Sequence, residues 1–411
     1  MVLLGLVVSA CTPVRSLCEE GAAKPLFRDG DRVVFLGATF IERMQDADYL
    51  ETELTSRFPG RHLTFRNLGW SGDTVGGISR AVFGAPADGF ARLAKDLKGT
   101  RPTVVVLCYG GNEAHDGPGG LKDFERESVV LLDALEQLTA RIVLITPASQ
   151  ERRAAPLPSP DAYNMHLKLY VQSLKRLGKE RGHRVIDLDR VVMATRKSLG
   201  LSGEQASLTE NGLHYGDRGY WALAPGLANG FVADGAKWSV TVDAANQKLS
   251  GQAVDLSRQE ITPKNVTFTA VSARLPVPER PQSYDDKILP LRHDRHLKVT
   301  GLQPGRYQVK VNGKTVAVAS HKKLAGGLTL TATWEQRQVA QLRKEIVAKN
   351  KLYFHRYRPQ NETYLFLFRK REQGNNAVEI PQFDPLVEAA EKKIALLKQP
   401  KPHRFELVRE D

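Results

Sequence analysis

Four short segments of the sequence contain groups that could together hydrolyse an ester. The segments are FLGATF (35–40), NLGWSGDT (67–74), YGGNE (109–113) and LTENGLH (208–214). They include the hydroxyl of Thr39, the amide of Asn112 and the imidazole of His214. A hydroxyl attacks a carbonyl carbon once a base takes its proton, and imidazole is the side chain most often used as that base. The chemistry that these residue types indicate is nucleophilic acyl transfer.

The order and spacing of the four segments resemble the sequence blocks of the SGNH (GDSL-like) hydrolase superfamily, over roughly residues 30 to 230. The resemblance implies Thr39 at the nucleophile position and His214 as general base. It also implies that the backbone N–H of Gly72 and the side chain of Asn112 bind the oxyanion. Glycine suits that task because no side chain obstructs the approach of the ligand to the backbone.

The sequence departs from the family pattern at the positions that matter most. The family's Gly-Asp-Ser is replaced by glycine, Ala38 and Thr39, and the extra methyl of threonine crowds the attack. Asn211 stands where the family has the aspartate that orients His214, and the nearest carboxylate is Glu210. A neutral amide can orient the ring but supplies no charge, and the equivalent Asp-to-Asn change is severely damaging in serine proteases. Glu210 could restore the charge only if the loop turns it inward.

Other types of site fit the sequence less well. Ser71 is not the serine of a Gly-x-Ser-x-Gly motif, because Asp73 stands where the second glycine is needed. His115 is close to Glu113, which replaces the family's aspartate, but no histidine pair has the spacing of a helix-borne zinc site. Asn112 on its own could simply cap a turn. The sequence therefore predicts no metal and no cofactor.

Up to about residue 235, short apolar runs alternate with helical stretches, a pattern typical of a parallel sheet covered by helices on both faces. The predicted strands are Arg32–Leu36, His62–Asn67, Thr103–Cys108, Arg141–Thr146 and Arg184–Asp187. The predicted helices lie near Tyr49–Arg57, Gly89–Leu97, Leu121–Leu138 and Ala162–Arg181, followed by one that carries Tyr220 and Trp221. We expect a three-layer α/β/α sandwich with a five-stranded parallel sheet, SGNH- or flavodoxin-like, in which ligands collect at the carboxyl ends of the strands.

The pattern changes after residue 236. The alternating runs Trp238–Val242, Asn265–Ala270, His296–Val299 and Tyr307–Val311 predict strands, and Asn312-Gly313 predicts a two-residue hairpin turn. Helical spacing follows in Trp334–Lys349 and Leu386–Leu397. We expect a hydrolase-like domain over 23–235, a β-sandwich-like domain over 236–332, and a helical, aromatic-rich tail over 333–411. That tail either docks the helices onto the first domain or helps to line the cleft.

The composition and the first residues bear on location and partners. The run Met1–Ala10 suits a secretory signal, and Val8-Ser9-Ala10-Cys11 resembles a lipoprotein cleavage box, so residues 1–22 are expected to be a leader. Export to the periplasm or envelope follows, with membrane anchoring only through a lipidated Cys11. The net charge of +13 is spread along the chain without a recognisable nucleic-acid module, so no nucleic-acid partner is expected. Cys108, inside an apolar run, is expected to be buried.

Three functional hypotheses follow. The first is an exported esterase that removes a small acyl group, such as acetyl, from a carbohydrate-like substrate. The second is a catalytically inactive protein of the same fold that binds a glycan or an envelope polymer, because Ala38, Thr39 and Asn211 are substitutions that the decay of a hydrolase would produce. An architectural lipoprotein held through Cys11 is a third hypothesis. The sequence leaves the oligomeric state undetermined.

Overall fold

The computed structural model describes residues 25–138, 141–152, 156–233, 235–281, 295–331, 333–372, 374 and 376–410. The predicted leader, with Cys11, lies outside these residues. Within the described ranges, no helix has both the length and the apolar character needed to cross a bilayer. The described part of the chain consists of an α/β sandwich followed by two further sheets and a pair of long helices.

The central sheet has five parallel strands in the order β2-β1-β3-β4-β5, which confirms the predicted fold class. The strands are β1 (Arg32–Gly37), β2 (Thr64–Asn67), β3 (Val104–Cys108), β4 (Ile142–Ile145) and β5 (Arg184–Ile186). The winding direction reverses between β1 and β3, so the loops that leave these two neighbours diverge. A crevice at the carboxyl ends of two such strands is where open α/β sheets bind ligands.

Helices cover both faces of this sheet because alternate residues of each strand are apolar on opposite sides. Val33 and Phe35 of β1 face one core, and Val34 and Leu36 face the other. The helices are α1 (Thr39–Ala47), α2 (Tyr49–Arg57), α3 (Pro86–Thr100), α4 (Leu121–Leu138), α5 (Asp161–Glu180), α6 (Leu188–Ser198) and α7 (Asp217–Phe231). Residues of α1, α2, α6 and α7 form the first core, and residues of α3, α4 and α5 form the second. Cys108 is buried in the first core, as expected.

Two further sheets follow, and they contain more strands than the sequence pattern predicts. The strands are β6 (Ser239–Asp243), β7 (Lys248–Gln252), β8 (Val254–Ile261), β9 (Asn265–Ser272), β10 (Arg295–Thr300), β11 (Arg306–Val311), β12 (Lys314–Ser320) and β13 (Leu328–Leu330), with α8 (His321–Gly326) before the last. One sheet has the order β13-β10-β6-β7, and apolar residues from both sheets share one core. The predicted hairpin is present: Val311 pairs with Lys314, and both turn residues have positive φ.

The tail is not purely helical, which corrects the prediction for residues 333–411. It contains α9 (Thr333–Tyr357), α10 (Glu362–Leu365), α11 (Phe383–Leu397) and a final strand, β14 (Pro402–Arg409). This strand pairs with β11 on one side and β9 on the other, so it lies in the middle of the sheet β12-β11-β14-β9-β8. Its partners are about 90 to 140 residues away in sequence, a separation that local patterning does not encode.

Helix α9 is joined to the α/β sandwich through buried polar groups. The Nζ of Lys349 donates to Glu51 Oε1 at 2.7 Å and to the carbonyl of Phe65 at 3.0 Å. The amide of Asn350 donates to Asp48 Oδ2 at 2.9 Å and to Glu51 Oε2 at 2.6 Å. Burial and the neighbouring Glu51 raise the pKa of Asp48 well above its ordinary value. The tail is therefore fixed to helix α2 by charges that are removed from water.

Candidate active site

A cavity of about 160 Å³ opens at the carboxyl ends of β1 and β3, and it brings together residues from three of the four sequence segments. Thr39 comes directly after β1, Asn112 follows β3, and His214 lies on the loop before α7. All three side chains line this cavity. Gly72, from the remaining segment, points its backbone N–H at the Thr39 hydroxyl from 3.4 Å.

Thr39 is the first residue of α1, a position that gives it two features useful for acyl transfer. Backbone N–H groups in the first turn of a helix have no partner inside the helix, so the N–H of Thr39 is free of intrahelical bonding. The helix N-terminus also carries a partial positive charge, which favours an anion nearby. Among the described residues, no hydrogen bond joins the Thr39 hydroxyl to the His214 ring.

The loop that carries Gly72 is held by buried charges. Gly72 has φ of +77°, a left-handed conformation that glycine adopts without strain. The next residue, Asp73, accepts hydrogen bonds from Arg80 Nε at 2.7 Å and from the hydroxyl of Tyr109 at 3.0 Å. Both members of the Asp73–Arg80 ion pair are fully buried. These contacts hold the loop in place, so that the Gly72 N–H points at the Thr39 hydroxyl.

Asn112 does not cap the short helix that begins at the next residue; its side-chain Nδ2 instead donates to the carbonyl of Asp73 at 2.6 Å. An amide nitrogen has two protons, so one N–H remains for a ligand in the cavity. Glu113, buried beside it, accepts from the backbone N–H of Val75 and of Gly110, each at 2.9 Å. Burial raises the pKa of Glu113 to about 7, against the opposing effect of these backbone hydrogen bonds. Glu113 thus ties the second and third segments together.

The loop that carries His214 is anchored by Glu151, a residue outside the four sequence segments. Its carboxylate accepts hydrogen bonds from the Ser207 hydroxyl at 2.5 Å and from the backbone N–H of Leu208 at 3.0 Å. Its own N–H donates to the carbonyl of Gly212 at 2.7 Å. A lone carboxylate between β4 and α5 gives no local sequence signal, because its partners, Arg196 among them, lie 45 or more residues away.

The contact between Asn211 and His214 determines which ring nitrogen holds the proton. Asn211 Oδ1 accepts the backbone N–H of Leu213 at 3.2 Å and that of His214 at 2.8 Å. These two donors fix the orientation of the amide, so Nδ2 faces His214 Nδ1 at 3.1 Å. Because Nδ2 can only donate, Nδ1 must accept, and the proton of the neutral ring lies on Nε2. An aspartate at this position would hold the opposite tautomer.

Glu210 does not take the place of the missing aspartate. Its carboxylate lies 3.7 Å from Arg43 Nη1, and among the described residues it makes no hydrogen bond to the ring of His214. Burial of the ring, followed by the charge of Arg43, lowers the pKa of His214, and Glu210 only partly opposes this. His214 is therefore mainly neutral at pH 7.

The remaining cavity wall includes aromatic and apolar groups and one cation. Tyr163 donates from its hydroxyl to the carbonyl of Gly111 at 2.7 Å, and its ring lies 4.5 Å from that of His115. Burial raises the pKa of Cys108, at the base, to about 12, so this thiol is not a nucleophile at neutral pH. The cation is Arg43, which lies outside the four sequence segments, although its position one helical turn after Thr39 was a usable signal.

The tail does not line this cavity: none of the described lining residues comes from beyond Tyr220. It instead packs against the loop of Gly72. The hydroxyl of Tyr357 donates to the carbonyl of Gly69 at 2.8 Å, and the guanidinium of Arg358 lies 3.8 Å from the centre of the Trp70 ring. Of the two expectations for the tail, docking is the one that these contacts support.

A separate groove of about 1100 Å³ lies between α3 and the tail. Several of its charged groups are paired, Arg356 with Asp384 at 2.9 Å and Arg92 with Glu362. Among the described residues, including those of this groove, no three His, Cys, Asp or Glu side chains are grouped so that they could hold a metal ion.

Residues 42–222 match the model of the GDSL-like lipase/acylhydrolase family, a range that includes Gly72, Asn112, Asn211 and His214 but begins after Thr39. No curated protein matches the chain in sequence.

Solved structures with a similar fold include BT4096, described as a gut microbial diltiazem-metabolizing enzyme, with a TM-score of 0.74 and 18% identity over 94% of this chain and 99% of that one. At 18% identity, the similarity establishes only that the two chains share a fold, and this shared fold includes the C-terminal part. Axe2, an acetylxylan esterase from Geobacillus stearothermophilus, aligns over 50% of this chain and 96% of its own, with 17% identity and a TM-score of 0.40. LAE5, an alpha/beta hydrolase enzyme from the metagenome of Lake Arreo, Spain, covers 51% and 98%, with 19% identity and a TM-score of 0.40.

Proposed function

We propose that the protein is a slow carboxylic-ester hydrolase with Thr39 as its nucleophile, a proposal supported by the match of residues 42–222 to the GDSL-like lipase/acylhydrolase family. One observation carries the proposal: Thr39, Asn112 and His214 line a single small cavity, and the Gly72 N–H faces the Thr39 hydroxyl. A cavity of about 160 Å³ suits a small acyl group such as acetyl. We further propose a carbohydrate-like alcohol and export through the leader.

In the proposed reaction, the His214 ring takes the hydroxyl proton of Thr39, and Oγ1 attacks the ester carbonyl. The oxyanion that forms is bound by the backbone N–H groups of Thr39 and Gly72 and by the side chain of Asn112. The tetrahedral intermediate then expels the alcohol, which takes the proton from His214. Water, activated by the same ring, releases the acid and regenerates Thr39.

Two features make this reaction slow. The methyl group of Thr39 restricts the rotation and approach of its hydroxyl. In addition, the resting tautomer of His214 has its proton on Nε2, whereas a base at that nitrogen needs a free lone pair. Rotation of the Asn211 amide away from its two backbone donors would allow the other tautomer, at the cost of those hydrogen bonds.

The Asn211 geometry also favours a second candidate function, a non-catalytic binding protein of the same fold. With Nε2 protonated, the groups around Thr39 are mostly hydrogen-bond donors, which would hold a ligand rather than activate the hydroxyl. The ligand would be a glycan or an envelope polymer that presents acceptor groups to the cavity.

Hydrolysis assays separate the two candidates. The full chain would be assayed with p-nitrophenyl acetate and with acetylated xylan, beside the variants Thr39→Ala and His214→Ala. The esterase proposal expects a rate above both variants, with each variant reduced at least tenfold. Equal rates for all three proteins would reject it and leave the binding function.

A further inference from the structure

The cavity beside Thr39 contains one permanently charged side chain among its described lining residues, the guanidinium of Arg43. The other described residues of the wall are aromatic, apolar or uncharged polar groups and the histidines His115 and His214. A single full charge next to a reacting centre is a strong constraint on the ligand, because a cation attracts an anionic group and favours it over a neutral one.

The donor groups of Arg43 are not used inside the described part of the protein. A guanidinium has five N–H donors, yet Arg43 makes no side-chain hydrogen bond to a described residue. Its closest carboxylate is Glu210, at 3.7 Å, and both side chains are well exposed, at 42% and 58%. An exposed ion pair of this length contributes little to stability. The pair can therefore open at small cost.

The position of Arg43 relative to the nucleophile is fixed by α1. Residues four apart lie on the same helix face with about 5–6 Å between their Cβ atoms, so Arg43 is one turn beyond Thr39. The nearby Tyr220 does not compete for a ligand, because its hydroxyl already donates to the carbonyl of Phe40 at 2.8 Å. A carboxylate a few bonds away from an ester carbonyl could reach Arg43 while the carbonyl lies against Thr39.

We propose that Arg43 binds the carboxylate of the substrate, so that the site selects esters that carry a negative charge close to the reacting carbonyl. The ligand displaces Glu210 from Arg43 and gains charge-assisted hydrogen bonds in return. The carboxylate lies either on the acyl side, as in a half-ester of a dicarboxylic acid, or on the alcohol side, as in an acetylated acidic sugar. This inference rests on the proposed ester substrate but not on turnover.

Binding is measured by calorimetry on the full chain with Thr39→Ala, so that no probe is consumed. The first pair of probes is monomethyl glutarate and dimethyl glutarate, and the second is acetylated glucuronic acid and acetylated glucose. We expect the anionic member of at least one pair to bind about fivefold to tenfold more tightly, and that pair identifies the side that carries the charge. Adding Arg43→Gln should abolish the preference, and Arg43→Lys should retain part of it.

The matched control is Arg126→Gln, which removes an arginine of α4 that pairs with Asp123 outside the cavity. This variant should keep the preference, because Arg126 lies outside the cavity. It removes the same net charge as Arg43→Gln, so a difference between the two variants reports the position of the charge. Equal affinity within both pairs, no binding of any probe, or a preference that survives Arg43→Gln would overturn the proposal. Failure of the hydrolysis assays with retained anion preference would reject the esterase function alone.

Discussion

The side-chain nitrogen of Asn211 donates a hydrogen bond to Nδ1 of His214 across 3.1 Å, so the neutral ring keeps its proton on Nε2. In the proposed acyl transfer, this nitrogen is the one that must accept the proton of Thr39. The same pair of residues therefore places the imidazole correctly and gives it the unfavourable tautomer. A general base needs both the correct position and a free lone pair on the accepting nitrogen. The His214 ring has the position, but its resting tautomer lacks the lone pair on Nε2.

Replacing Asn211 with aspartate should raise esterase activity. One carboxylate oxygen can keep the two backbone hydrogen bonds, while the other accepts Nδ1–H and stabilises the imidazolium that forms during the reaction. In serine proteases the reverse change costs about 10⁴-fold, so we expect a gain of about 10²-fold in kcat for Asn211→Asp. The measurement is kcat with p-nitrophenyl acetate. Asn211→Asp combined with Thr39→Ala is the control and should show no gain; a gain in that double variant would mean that Thr39 is not the nucleophile.

Removing one methyl group from Thr39, the proposed nucleophile, should also raise esterase activity. Thr39→Ser keeps the hydroxyl at the start of α1 and relieves its restricted rotation, so we expect kcat to rise about tenfold with little change in KM. The gain should multiply with that of Asn211→Asp, because the two changes affect the nucleophile and the base separately. A fall in kcat for Thr39→Ser would show instead that the methyl group positions the hydroxyl.

The pH dependence should reflect the lowered pKa of His214. Burial and the charge of Arg43 favour the neutral ring, which is the form that acts as base, so activity should persist below pH 6.5 as the pH falls. Arg43→Gln removes part of this effect, and both the acid limb of kcat/KM and the NMR titration of the ring should move to higher pH. An unchanged titration would indicate that Arg43 lies too far from the ring in solution.

The tail should affect turnover through the loop of Gly72. Arg358 stacks on Trp70 and donates to Glu42 Oε1 at 3.0 Å, and Glu42 in turn accepts the backbone N–H of Ser71. We expect Arg358→Ala to lower kcat about tenfold with a smaller effect on KM, because cation–π contacts are worth about 0.5–2 kcal/mol. Arg358→Lys should recover part of the loss.

The control for this variant is Arg356→Ala, two residues earlier on α9, which pairs with Asp384. That change should leave kcat within about twofold. Equal losses for the two alanine variants, together with equal drops in Tm, would show a general stability effect rather than positioning of the loop.

Stability should depend on the buried contact between Lys349 and Glu51. Removing one partner leaves a carboxylate in the interior without its cation, a change that costs about 3–5 kcal/mol. We expect urea unfolding of Lys349→Met to show a loss of this size. Lys344→Met, on the exposed face of the same helix, should change the free energy of unfolding by less than about 0.5 kcal/mol. Similar values for both variants would contradict a buried ion pair.

Much of the α/β sandwich could be predicted because its signals are local. Each strand is a short apolar run, and the polar segments of Thr39, Asn112 and His214 sit beside the strands and helix that carry them. Parallel strands bring their carboxyl ends to one edge of a sheet, so order along the chain was enough to predict a shared pocket. Helix α1 was missed, although it begins at Thr39, because it has only nine residues and follows the strand after a single residue.

The sequence by itself determined the fold class, three of the residues that line the cavity (Thr39, Asn112 and His214) and the absence of an aspartate beside His214. Only the tertiary structure decided which nitrogen of the ring carries the proton, that Arg43 and not Glu210 faces the cavity, and that the tail supports the loop of Gly72 and inserts β14 into a distant sheet. These outcomes depend on the directions of side chains and on contacts between residues far apart in the chain. Such contacts form only when the whole chain packs, so no window of sequence contains them.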